Sequence, residues 1–217
     1  MMDDTGYISS GRIRNRKAAA QQLAGRLEKY RGAPGAVLAI PRGGVPVAAP
    51  IAKQLGMPLE VILSKKIGHP ANPEFAIGSV SLDAVQVDAR AEVPPEYIAA
   101  QVERIREGLQ QKYRLYMGNR RHEYLQDRLV LLVDDGIATG KTMLATIELV
   151  KKEQPRKIVV AVPVASPKAF DSISNLVDEV VCLLVPKSFQ AVGQFYEEFS
   201  QVSDELVIQL LQEQDNR

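Results

Sequence analysis

Leu129-Val130-Leu131-Leu132-Val133 is apolar without a break and runs straight into two carboxylates, Asp134 and Asp135. Behind them come Gly136-Ile137-Ala138-Thr139-Gly140 and a helix-forming stretch over 142–152. Nothing else in the chain constrains its fold as much. A short, wholly apolar run is the pattern of a strand covered on both faces, which belongs to parallel sheets. Four more runs share the character: 36–40, 59–64 (interrupted only by Glu60), 158–164 and 180–185. Helical stretches at 45–55, 142–152 and about 167–175 alternate with them as βαβ units do. An amphipathic helix over 14–30, with Ala20, Leu23 and Leu27 on one face, precedes the first run and is broken by Gly32, Pro34 and Gly35. The expected fold class is α/β, a doubly wound parallel five-stranded sheet flanked by helices.

The middle of the chain leaves this rhythm. Residues 65–75 are polar and contain Gly68, Pro70 and Pro73, which predicts a long loop, and 77–87 reads as a short hairpin. Over 94–116 the apolar residues Ile98, Val102, Ile105 and Leu109 recur at helical spacing, so a helix with one apolar face is inserted into the sheet order. That face reads first as packing on its own core, with a dimer contact as the alternative. A homodimer or higher homo-oligomer is expected. No repeat, low-complexity tract or linker divides the chain. It is read as a single domain over 1–217, with a core at about 36–185, an insertion at about 77–120 and a C-terminal segment at about 186–213.

Lys plus Arg total 27 against 26 for Asp plus Glu, a net charge of +1, which supplies no general field for nucleic acid or an anionic membrane. Any anionic ligand has to be met locally. The one cysteine, Cys182, lies in an apolar run, so a disulfide framework and a cysteine zinc site are excluded. The start, Met1 to Gly6, lacks the basic and apolar regions of a signal peptide, and no window reaches the roughly 18 apolar residues of a membrane span. A cytoplasmic protein is expected.

In open α/β sheets ligands bind at the carboxyl ends of strands, and a helix N-terminus offers unpartnered N–H groups and a favourable dipole to a phosphate. Residues 138–142 are placed to do this, with Thr139 and Thr142 adding hydroxyls. Two acids directly before a phosphate cradle would repel the phosphate itself. They suit sugar hydroxyls or a divalent cation. A Walker A loop needs four residues between its first glycine and Gly-Lys-Thr, and Gly136 to Gly140 encloses three. A strand-turn-helix whose acids only cap the turn would explain one aspartate, but not two acids, the glycines and the hydroxyls together.

The segment 133–142, Val-Asp-Asp-Gly-Ile-Ala-Thr-Gly-Lys-Thr, resembles the signature of the type I phosphoribosyltransferases, which bind phosphoribosyl pyrophosphate (PRPP). The resemblance implies that Asp134 and Asp135 hold the ribose hydroxyls and act in catalysis. It implies also that Ala138, Thr139, Gly140, Lys141 and Thr142 wrap the 5′-phosphate, with Mg²⁺ carried by PRPP near the acid pair. Position 136 departs from the pattern, which more often has an aliphatic residue there. Pro41-Arg42-Gly43-Gly44-Val45-Pro46 is similar to the pyrophosphate-binding loop of the family, and Lys65-Lys66 with the loop after them, including His69, is similar to its mobile catalytic loop. Arg42, Gly43, Gly44, Lys65 and Lys66 are thereby implied as pyrophosphate-binding, Lys65 as catalytic. Residues 186–199 look like the hood that covers the base, with Phe189, Val192, Phe195 and Tyr196 as its candidate contacts. The acid that purine enzymes place in the hood has no equivalent, Gln194 being nearest, and Ala138 stands where they carry a proton-transferring aspartate. The implied activity is transfer of the 5-phosphoribosyl group from PRPP to an unidentified nitrogen acceptor in nucleotide metabolism, with a non-catalytic PRPP sensor on the same fold as the alternative. The similarity is strongest to a group sharing Pro-Arg-Gly-Gly-Val-Pro-Val-Ala and Phe-Ser-Gln-Val-Ser-Asp, whose acceptor the resemblance does not supply.

Overall fold

The computed structural model describes residues 11–88, 90–118, 120 and 122–215. The reading of Met1 to Gly6 therefore lies outside the described residues. Strands β1 (Gly35–Ala39), β2 (Leu59–Val61), β6 (Leu129–Val133), β7 (Lys157–Val164) and β8 (Glu179–Leu184) form one five-stranded sheet in the order β2-β1-β6-β7-β8. Every pairing in it is parallel. β1 and β6 are buried along their whole length, which is why they read as unbroken apolar runs.

Successive side chains of a strand point to opposite faces, and the two faces of this sheet carry separate cores. Val37, Ala39, Leu131 and Val133 pack with residues of helices α1 (Arg16–Arg26), α2 (Val45–Leu55), α3 (Pro95–Met117) and α6 (Asp204–Asp215). Ala36, Leu38, Val130 and Leu132 pack with α4 (Lys141–Lys152) and α5 (Pro167–Ser174). The chain thus winds one way from β1 through α2 and the other way from β6 through α4. The switch point lies between β1 and β6, where doubly wound sheets bind ligands.

Local chemistry sets the ends of these elements. Asn15 caps α1 by accepting from the N–H of Ala18 at 3.1 Å, and Ser166 caps α5 by accepting from the N–H of Ala169. Pro46 and Pro167 occupy first-turn positions, where a missing N–H costs nothing. The apolar face of α3 packs on its own molecule: Ile105 and Leu109 are buried, and Ile98 and Val102 rest on the same core.

One expectation fails. Residues 65–75 are not a long loop. β3 (Lys65–His69) and β4 (Asn72–Val80) form an antiparallel hairpin, extended by β5 (Val85–Val87) into a second sheet in the order β3-β4-β5. The predicted 77–87 hairpin is therefore the second half of a longer meander. Residues 72–76 of β4 are exposed, so no inward-outward alternation marks the strand in the sequence.

Candidate active site

At the carboxyl end of β6 the acid pair meets the loop that follows β1. A Cβ added at Gly43 would sit 2.0 Å from Oδ2 of Asp135, and one at Gly44 would sit 2.6 Å from the carbonyl oxygen of Val133. Two glycines are what allow the Arg42 loop to lie directly on the acids. The Pro41–Arg42 peptide bond in this loop is cis. Asp135 donates its N–H to Oδ1 of Asp134 at 2.8 Å. Burial and then the neighbouring charge of Asp135 push the Asp134 carboxyl well above the usual carboxylate range.

Asp135 is held from two sides that the sequence did not announce. Arg16 donates from Nε and Nη2 to Asp135 Oδ2, at 2.9 and 2.7 Å, and from Nη1 to the carbonyl oxygen of Ser200 at 2.9 Å. Its guanidinium lies 4.0 Å from the ring centre of Phe199. The hydroxyl of Tyr196 donates to the Asp135 carbonyl oxygen at 2.7 Å, and the Tyr196 ring stacks on Phe199. Arg16, Arg42, Gly43, Asp135 and residues 199–202 line one cavity of about 430 Å³. Arg42 pairs at 3.8 Å with Asp204, which also accepts from Lys112 and Tyr116.

The stretch from Gly136 to Thr142 is tied to the corner after β7. Ile137 donates its N–H to Val164 and accepts from the N–H of Ser166, whose hydroxyl donates to the Ala138 carbonyl at 2.6 Å. Ala138, Thr139 and Lys141 remain exposed, and α4 begins at Lys141, whose N–H donates to Oγ1 of Thr139 at 3.5 Å. A Cβ at Gly136 would lie 2.5 Å from Cγ1 of Val192. Val192 thus fills the space an aliphatic residue at 136 would take, which explains the departure at that position.

The structure distributes the remaining expected residues between two openings. Lys65, Lys66, Lys141 and Thr142 face a groove of about 1160 Å³ between the β3-β4-β5 sheet and α4. Lys66 is already paired with Glu74 of its own hairpin at 2.9 Å. His69 sits at the hairpin end, accepting from the N–H of Ala71, with its ring edge-on to Phe75. In the C-terminal segment, a 3₁₀ turn spans Val192–Phe195. Phe195 and Tyr196 are only 9% and 3% exposed, so their rings are packed in the core. Phe189 packs against Phe195, and the aromatic ring on the cavity is Phe199. Gln194 accepts from the N–H groups of Gln190 and Ala191, which closes the turn.

Residues 10–199 match the family described as "Phosphoribosyl transferase domain". A Mycobacterium tuberculosis protein, Rv0571c in strain H37Rv and MT0597 in strain CDC 1551, is 38% identical over 202 residues and is named provisionally as a phosphoribosyl transferase. The match takes in 91% of this chain and 46% of that protein, so the chain spans about half the length of these relatives. The crystal structure of TT1426 from Thermus thermophilus is 41% identical, with a TM-score of 0.83 over 93% of this chain and 98% of that one. Among the described residues no helix is long and apolar enough to cross a membrane.

Proposed function

The chain belongs to the phosphoribosyl transferase domain family, and from that premise we propose that it moves the 5-phosphoribosyl group of PRPP to a nitrogen nucleophile and releases pyrophosphate. The observation that carries the reading is the approach of Gly43 to Asp135, which brings the Arg42 loop and the acid pair together at the switch point of the sheet. In the reaction the acceptor nitrogen forms a bond to C1′ while the bond from C1′ to the pyrophosphate oxygen breaks, its electron pair leaving with pyrophosphate. C1′ is cationic in the transition state, so catalysis consists of holding the ribose still and meeting the charge that grows on the leaving group.

Asp134 and Asp135 would accept from the ribose hydroxyls. The first turn of α4 and residues 138–142 would hold the 5′-phosphate, and Arg42 with the backbone of Gly43 and Gly44 would meet pyrophosphate. Lys65 and Lys66, in the groove shared with Lys141 and Thr142, would add positive charge from the hairpin side. No group of three or more His, Cys, Asp or Glu among the described residues forms a metal cage. Of the pair, Asp135 would be the carboxylate to hold a Mg²⁺ ion that takes its other oxygens from substrate phosphates and water, since burial and the charge of Asp135 push Asp134 toward its neutral form. Bound there, Mg²⁺ would neutralise charge on the pyrophosphate.

The test is pyrophosphate release from PRPP and Mg²⁺ across purines, pyrimidines, orotate and other nitrogen bases. Release with one acceptor class supports the transferase. Tight PRPP binding with no release for any base would replace it by the sensor reading, which Ala138, in the place of a proton-transferring acid, favours.

A further inference from the structure

Arg16 is the charged residue most tightly built into the site, and the reading above gives it no role. Its guanidinium is fully engaged inside the protein, with Nε and Nη2 on Asp135 Oδ2 and Nη1 on the Ser200 carbonyl. The two side chains are only 11% and 15% exposed. Arg42, on the same cavity, is 41% exposed and stands 3.8 Å from its partner, which leaves it available to an anion. Arg16 does not have that freedom. Asp135 keeps a second oxygen, Oδ1, to which no described residue donates, while Oδ2 is pinned by two bonds from one rigid fork. A fork fixed at both ends and laid on an aromatic ring orients a carboxylate better than a flexible ammonium could.

We propose that Arg16 is a positioning residue that aims Asp135 at the ribose and, through Ser200 and Phe199, makes that aim depend on the seating of residues 199–202. It acts on the sugar and not on the pyrophosphate. The contact joins the first helix, the loop after β6 and the C-terminal segment, so the ribose site is complete only when all three are docked. This inference rests on the phosphoribosyl-transfer reading.

Calorimetric titration of the whole chain with PRPP and Mg²⁺, and separately with pyrophosphate and Mg²⁺, tests it. Arg16→Met is expected to weaken PRPP binding roughly tenfold to a hundredfold while leaving pyrophosphate affinity unchanged. Arg16→Lys, which keeps charge and bulk, is expected to recover part of the loss and serves as the readable variant if Arg16→Met does not fold. Equal loss for both ligands would make Arg16 a direct anion contact or a general scaffold residue and would overturn the proposal, as would unchanged PRPP binding. A wild-type chain that binds pyrophosphate but not PRPP overturns the functional reading itself, and the inference falls with it.

Discussion

Asp135 with Arg16, at the carboxyl end of β6, and Glu60, paired with His122 at the edge strand β2, each border a cavity of about 430 Å³. At β2 the carboxylate is used up. Glu60 accepts from the Tyr113 hydroxyl at 2.6 Å and the Glu123 N–H at 2.9 Å, and pairs with His122 Nδ1 at 2.7 Å. Nε2 of the same histidine pairs with Asp83 at 2.8 Å, and its ring stacks on Tyr113. Burial works against the charged imidazole, but its bonds to Asp83 and Glu60 outweigh it and raise His122 to about 10. At β6, by contrast, no described residue donates to Asp135 Oδ1, and burial with the neighbouring charge pushes the next acid toward its neutral form. Both groups are ionic, and each rests on a carboxylate drawn into the protein, Glu60 at 1% and Asp135 at 15% side-chain exposure. What separates a clasp from a site is whether acceptors remain after the protein's own bonds are made.

The contrast can be broken by moving activity and stability separately. Asp135→Asn should lower kcat/KM for PRPP about 10²- to 10³-fold per folded molecule, with some loss of stability as well because Arg16 loses its counter-charge. If this variant kept full turnover, the acid pair would not be the sugar site. His122→Ala should instead cost about 3 kcal/mol in denaturant unfolding because Glu60 loses its counter-charge inside the protein, with activity per folded molecule retained. That cost should depend on pH in a defined direction. A histidine whose folded pKa is raised gives its full stabilisation below its unfolded value of about 6.5, and loses it as pH rises through about 10. The stability gap between wild type and His122→Ala should therefore narrow as pH rises through about 10, leaving only the packing of the ring on Tyr113, and a constant gap would refute the clasp.

Smaller effects should sharpen the comparison on the site side. Gly43→Ala places a methyl group against Asp135 and should raise KM for PRPP about tenfold, a change visible in initial-rate measurements. Tyr196→Phe removes one buried hydrogen bond to the Asp135 carbonyl and should cost about 1 kcal/mol of stability with a slight rise in KM. A Tyr196→Phe variant that abolished turnover would assign the hydroxyl to the chemistry instead of to the frame.

Much of the sheet was legible because burial on both faces forces an apolar run. Leu129–Val133 and Gly35–Ala39 lie within a residue of where their composition put them. The β3-β4 hairpin was not legible: its outer half is exposed, and its Gly68, Pro70 and Pro73 are ordinary loop residues. The aromatic residues of the C-terminal segment could not be sorted from sequence, where such rings are as often core as contacts. Phe195 and Tyr196 look like base-stacking rings in sequence, yet the core takes them and leaves Phe199 at the cavity.

The sequence alone determined the sheet class, the place of Asp134 and Asp135 at a strand end, and the glycines that let one loop lie against the acid pair. These follow from local rules of burial, helix termini and glycine geometry, which act over a few residues. Only the tertiary structure decided which charges are committed and which are free. Arg16 meets Asp135 across 119 positions, and Tyr113 meets Glu60 across 53. No periodicity carries information over such distances. A charge acquires its role there from the partner that folding brings to it, since burial without a partner is what the chain has to avoid.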